Sequence, residues 1–345
     1  MTMRSKLFNS LAAGFIIAGI AFASAQEGIP KETWRWAHFS AEAWGSSQAD
    51  KLFVEEVKKR TNGRVTARFY WSGAMGGGNE LLELTANGAV DVGSFVPAYY
   101  PGQMPLMSLV NSLPLTWADP VLAMETQKYL FENNKYVQQE LEKNRVVPIL
   151  FHGLAPYRLQ CTKPVRRLAD IKGLRVRSFG EWPPIVLQRL GAVPVNVGMT
   201  EVYEGLQRGS LDCAYLSIEA AGFFKIGEVA KYWSTINFGA IAAYSSFVSA
   251  DKYQSWSPEF KKILKEAADV AEAYEKQEFA KLEQQTIEAA KKLGVEIVEF
   301  EEQDQLEAAI PNLLSEWEKT MCDRGQCEAA KSVVADIRKV MEERK

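Results

Sequence analysis

The chain has 345 residues, 47% of them apolar and 24% charged, an ordinary globular composition with enough material for two lobes. A formal charge of −3 points neither to nucleic acid nor to an anionic membrane surface as a partner. The two histidines, His38 and His152, stand in no HExxH, His–Cys or His–Ser motif, and no GxSxG is present. The usual routes to zinc or nucleophilic catalysis therefore have no visible support.

Taken from the start, Arg4 and Lys6 precede an apolar run from Leu11 to Phe22, and Ala23-Ser24-Ala25 is a small-residue cleavage site. The pattern predicts a secretory signal peptide over residues 1–25, too short to span a bilayer with these flanks. Gln26, not Cys, follows the cut, so no lipid anchor is expected there. Removing the segment leaves 38 Lys+Arg against 43 Asp+Glu, about −5. The mature chain is expected to be exported and not inserted in a membrane.

Trp34 to His38 alternates like a strand, Ser46 to Arg60 has helical spacing ended by Asn62-Gly63, and Arg64 to Tyr70 reads as a second strand. The glycine cluster from Gly73 to Gly78 has neither the GxGxxG nor the GxxxxGK[ST] spacing, so it is a flexible loop and not a phosphate cradle. A gapless internal repeat follows. Glu80, Glu83, Gly88 and Asp91 coincide with Glu201, Glu204, Gly209 and Asp212. Each copy reads as a helix, a glycine suited to the left-handed C-terminal position, and a strand, which points to two similar α/β lobes.

Asp119-Pro120 opens a helix predicted to run to about Lys143, and Val146 to Gly153 is a buried strand. Strands over 158–162, 174–178 and 213–217 and helices near 183–190 and 200–208 belong to the second lobe. Ser257-Pro258 starts a helix that Gly294 ends. Roughly 36 residues at 1.5 Å each span about 54 Å, longer than one lobe, so this helix is expected to lie across both. A strand over 295–300 and two closing helices complete the chain. Of the four cysteines, Cys322 and Cys327 are expected to pair across a tight loop. Cys161 and Cys213 are left open between a bridge and free thiols.

The candidate site rests on Asp170-Ile171-Lys172-Gly173-Leu174-Arg175-Val176-Arg177. In this turn and strand Arg177 stands nearest the carboxyl end, where open α/β sheets bind ligands. A guanidinium there can grip a carboxylate with two parallel hydrogen bonds, with Arg158 as a second cation. Trp182 is expected on the loop over the cleft and His38 at the end of the first strand, while His152 reads as a core histidine. No residue pattern calls for a cofactor or a metal.

These motifs, together with Phe53-Val-Glu-Glu-Val and Thr61-Asn62-Gly63-Arg64-Val65, Leu190-Gly191-Ala192-Val-Pro194-Val and the two repeat segments, resemble the periplasmic substrate-binding proteins of TRAP transporters of the DctP type. The resemblance covers nearly all of the mature chain. It implies a two-lobed α/β binding-protein fold with crossing hinge strands and one long helix spanning both lobes. Lobe I is expected over 31–155 plus about 243–282, and lobe II over 156–242 plus about 283–345, with helix 258–293 shared. It further implies a carboxylate held by Arg177, assisted by Arg158, and delivery to a membrane permease driven by an ion gradient. Phe39 and Val96 stand where members that bind heavily hydroxylated acids have polar contacts. Tyr215-Leu216-Ser217 stands where an Asn is frequent. With Phe179 also shaping the pocket, a monocarboxylate with a compact apolar or aromatic remainder is expected. A C4-dicarboxylate or other polar acid is the alternative ligand. An enzyme acting on a small acid, or a partner of a membrane sensor, is the alternative role.

Overall fold

The computed structural model describes residues 28–310 and 312–344, so the predicted signal peptide lies outside the described residues. Among the described residues eleven strands form two sheets. The first has the order β2-β1-β3-β10-β4, from β1 (Glu32–His38), β2 (Val65–Tyr70), β3 (Val92–Phe95), β4 (Val146–Leu154) and β10 (Ile241–Ser249). The second has the order β11-β9-β5-β8-β6-β7. Its strands are β5 (Tyr157–Cys161), β6 (Arg175–Ser178), β7 (Val193–Asn196), β8 (Cys213–Ser217), β9 (Tyr232–Ser234) and β11 (Glu296–Val298).

Each sheet holds three parallel strands, β2-β1-β3 and β7-β6-β8, flanked by an antiparallel strand that arrives from the other lobe. The chain crosses between β4 and β5 and returns between β9 and β10. The two crossings touch: Tyr157 N–H donates to Gly239 O at 2.9 Å, and Phe238 N–H to Tyr157 O at 3.0 Å. Paired crossings of this kind make a hinge in which a few residues can absorb the motion of two lobes.

The internal repeat is one structural device used twice. Asp91 accepts from the backbone N–H and the Nε of Arg35 at 2.8 and 2.9 Å. Asp212 does the same for Arg175, at 2.8 and 2.9 Å. Glu80 accepts from Gly77 N–H and Glu201 from Gly198 N–H, and both repeat glycines, Gly88 and Gly209, sit at φ +71°. Three of the four matching residues thus tie helix, turn and strand together in each lobe.

The long helix, Pro258–Lys292, is capped by the Ser257 side chain, which accepts from Phe260 N–H at 3.2 Å. Its first half buries Phe260, Leu264, Ala267 and Ala271 against Trp34 and Phe53 of the first lobe. Its end puts Ala290 into a cluster with Leu206 and Trp233 of the second. Ion pairs repeat the pattern, Arg60–Glu266 at 2.6 Å on one side and Arg158–Glu283 at 2.9 Å on the other. No helix among the described residues is long and apolar enough to cross a membrane.

Three details depart from the sequence reading. The helix expected from Pro120 to Lys143 is two, Pro120–Asn133 and Lys135–Lys143, because Asn134 is extended and its side chain caps the second. Three helices, not two, close the chain. The last, Cys327–Glu343, was expected with the second lobe, yet Asp336 and Ser332 accept from Asn134 of the first lobe at 2.7 and 3.0 Å. Both disulfides form. Cys322–Cys327 closes the loop before that helix, and Cys161–Cys213 joins directly opposed residues of β5 and β8.

The repeat makes a paired prediction. Arg175 holds the Asp212 carboxylate below its usual range, so its contribution is present at neutral pH and is lost as pH falls through that depressed pKa. Asp212→Ala and Asp91→Ala each leave a backbone N–H without its acceptor. Each should cost about 1–3 kcal/mol in urea unfolding at pH 7. Two variants as stable as the parent would show that the repeated aspartates are not structural.

Candidate ligand site between the lobes

Arg177 lies near the carboxyl end of β6, paired with Val195 of β7 and Ala214 of β8. Its side chain turns inward and is 1% exposed. Nε donates to Val197 O at 3.4 Å and Nη1 to Tyr215 O at 3.2 Å, and the guanidinium carbon lies 4.8 Å from the centre of the Phe179 ring. Among the described residues no carboxylate comes within ion-pair distance of it. A buried cation without an anion is costly, by several kcal/mol even after local relaxation.

The guanidinium forms part of a small cavity. The first lobe contributes Phe39, Trp44, Val96 and Tyr99, and the second contributes Phe179, Met199 and Ala220. The crossing strands add Leu154, Tyr157, Ile241 and Ala243. Apart from Arg177 the polar groups on this wall are few. Two are the phenols of Tyr99 and Tyr157, whose hydroxyls burial pushes above the usual range while Arg177 draws them partly back. The enclosed space is about 20 Å³, room for one water-sized body. It adjoins a wider cleft of about 750 Å³ walled by the glycine loop at Gly77 and Gly78 and by Gly198 and Thr200. Phe39, Tyr99, Phe179 and Met199 border both spaces. Anything larger than water enters only if the lobes part.

The predicted residues divide. Arg177, Phe39, Phe179 and Val96 meet at the cavity. Arg158 does not. Alternation along β5 puts Tyr157 on the cavity side and Arg158 on the opposite face, where it bonds Thr235 O and Glu283 at 2.9 Å each. Trp182 is not on a loop over the cleft either. It is the first residue of the helix Trp182–Arg189, 4% exposed and packed in the core, because the prolines after it fit a first helical turn. Leu216 lies in the core behind β8. Ser217 caps the helix Ile218–Phe223 by accepting from Ala220 N–H.

His38 also misses the cavity wall, although its ring stacks on Phe39 at 5.4 Å. It belongs to a buried polar cluster behind that wall. His38 Nε2 lies 3.2 Å from Asp50, which also accepts from the Tyr244 and Ser246 hydroxyls at 2.5 and 2.9 Å. His152 sits between Asp50 at 3.4 Å and Glu275 at 3.1 Å. Burial opposes charge on both imidazoles, and on His38 it prevails and lowers the pKa. On His152 the two flanking carboxylates outweigh it and raise the pKa to about 10. His152 is therefore the cation of this cluster.

Two lobes meeting around a guanidinium make a candidate interlobe ligand site. A family model described as bacterial extracellular solute-binding protein, family 7 (DctP), matches residues 37–320, and the chain belongs to that family. It is a solute-binding protein and not an enzyme. A relative, the 2,3-diketo-L-gulonate-binding periplasmic protein YiaO of Escherichia coli, is 23% identical over 291 residues, 84% of this chain and 88% of its own. A TRAP periplasmic solute-binding protein of Chromohalobacter salexigens with bound D-glucuronate superposes with a TM-score of 0.77 at 21% identity, covering 89% of this chain and 99% of its own. A marine metagenome TRAP solute-binding protein specific for aromatic acids, in complex with metahydroxyphenylacetate, gives 0.77 at 22% identity with the same coverages of 89% and 99%.

The buried cation without a counter-ion has a measurable consequence. Arg177→Met removes an unpaired charge and leaves a side chain that fits an apolar wall. Its thermal midpoint should equal or exceed that of the parent protein. A clear fall would mean that the two carbonyl bonds of Arg177 hold the fold together and that the residue serves structure first.

Proposed function

We propose that this protein is an exported receptor for an organic monocarboxylate with an apolar or aromatic remainder, which it delivers to an ion-gradient-driven TRAP permease. The observation that carries the reading is the composition of the wall around Arg177. One cation and two phenols stand at one end, and the rest is aromatic and aliphatic. A carboxylate replaces the long bonds of Arg177 to Val197 O and Tyr215 O with short charge-assisted ones and neutralises the buried charge. Tyr99 and Tyr157, both facing Arg177, supply hydroxyl donors to the same group.

Selectivity follows from what the remaining wall lacks. The ligands of the Escherichia coli and Chromohalobacter proteins are acids rich in polar oxygen. Here Phe39, Val96, Leu154 and Met199 offer such oxygens no partner, and each buried hydroxyl left unbonded costs about 1–3 kcal/mol. The aromatic acid of the marine protein has the matching chemistry, a carboxylate at one end and a ring at the other. Closure follows from the same placement: Tyr99 and Phe39 belong to the first lobe and Arg177 to the second. A ligand touching both favours the closed arrangement by its differential affinity.

Calorimetry against a panel of acids tests the reading. Metahydroxyphenylacetate or a branched 2-oxo acid should bind at least tenfold more tightly than succinate or D-glucuronate, and Arg177→Ala should abolish the heat while the protein stays folded. Tight binding of succinate or glucuronate without binding of the aromatic and branched acids would overturn it. Genes for a small and a large membrane subunit beside this one would support transport over a sensing role.

A further inference from the structure

The short helix Ile218–Phe223 carries neighbours with different surroundings. Ala220 lines the ligand cavity, whereas Glu219 enters the seam between this helix, Trp44-Gly45 of the first lobe and the long helix. Glu219 is 7% exposed, and its Oε1 has no hydrogen-bond partner. The approach at Gly45 is close: a Cβ there would meet that oxygen and the end of Leu282 of the long helix, and these side chains would have to shift.

No cation is free to balance this carboxyl among the described residues. Glu275 of the long helix faces it and repels a second negative charge. His152 of β4 is committed between Asp50 and Glu275, and Arg158 of β5 is bound to Glu283 and Thr235 O. From β10, Tyr244 donates its hydroxyl to Asp50. In the turn after the helix, Lys225 is exposed and Glu228 accepts from Tyr203. An ionised Glu219 would put two unbalanced negative charges into one dry region.

We propose that the Glu219 carboxyl is a proton-binding site at the seam of the two lobes, filled when the lobes close and emptied when they part. Burial, reinforced by Glu275 and only partly opposed by the nearby Gly45 N–H and Trp44 indole N–H, raises its pKa to about 7 in the closed arrangement. When the helix draws away from Trp44 and Gly45, water reaches the carboxyl and its pKa returns toward ~4.3. Between those values the closed form holds one proton more than the open form. Closure is then favoured by falling pH. Its equilibrium constant drops by roughly 40-fold as pH rises from about 5 to about 7, and levels off above about 8.

The test needs no organic acid, so it stands or falls apart from the carboxylate reading. Glu219→Gln keeps the shape and the hydrogen-bonding capacity of the protonated side chain but cannot titrate. Small-angle X-ray scattering of the unliganded wild type should show a radius of gyration that grows between pH 5 and pH 8, while the Gln variant stays constant. The unfolding midpoint of the variant minus that of wild type should rise from pH 5 to pH 7 and then level off. A midpoint difference that does not change with pH removes the proton site. A scattering change shared by both proteins, or absent from both, removes its coupling to closure.

Discussion

A buried guanidinium without a counter-ion is the constraint on which the rest of the molecule turns. Arg177 is held by two carbonyls at 3.2 and 3.4 Å and by an aromatic face, weak compensation for a full charge taken out of water. Such a group is expensive in an inert core and useful where an anion arrives from outside. The fold makes that arrival conditional on motion. The space beside Arg177 is nearly closed, its walls come from both lobes, and paired crossing strands connect them.

The internal repeat explains how the charge comes to be on one side only. Arg35 and Arg175 make the same bonds to Asp91 and Asp212, so β1 and β6 occupy equivalent places, and two residues on Ala37 corresponds to Arg177. At that place the first lobe has a small apolar residue where the second has a cation, and Phe39 and Val96 line the cavity from the first lobe. The proposed acid with an apolar tail would suit this division, head to the second lobe and tail toward the first. Behind the apolar wall, the cluster of His38, Asp50, His152, Tyr244 and Glu275 is held by strands, by the first helix and by the long helix together. The polar framework therefore lies outside the cavity that it supports.

Much of this was legible in the sequence, for reasons that particular residues make plain. Ser257-Pro258 and Gly294 bound the long helix because capping chemistry is local. The repeat was visible because the same residues recur at the same spacing in both copies. Arg177 was found through its place at a strand end. Arg158 was misplaced because strand alternation shows that Tyr157 and Arg158 point apart but not which of them meets the cleft. Trp182 was misread because prolines that mark a loop also begin a helix. The crossing-strand residues Tyr157, Ile241 and Ala243 carried no signal, since only the meeting of two distant crossings makes them neighbours. Tyr99 and Trp44 were passed over because a large buried aromatic looks the same in a core and in a pocket.

The account is tested most directly by a crystal structure of the protein with an acid that calorimetry shows it to bind. It predicts the carboxylate about 2.7–2.9 Å from the Arg177 guanidinium nitrogens, with the remainder of the molecule against Phe39 and Val96. An acid bound elsewhere, with Arg177 still resting on Val197 O and Tyr215 O, would contradict it.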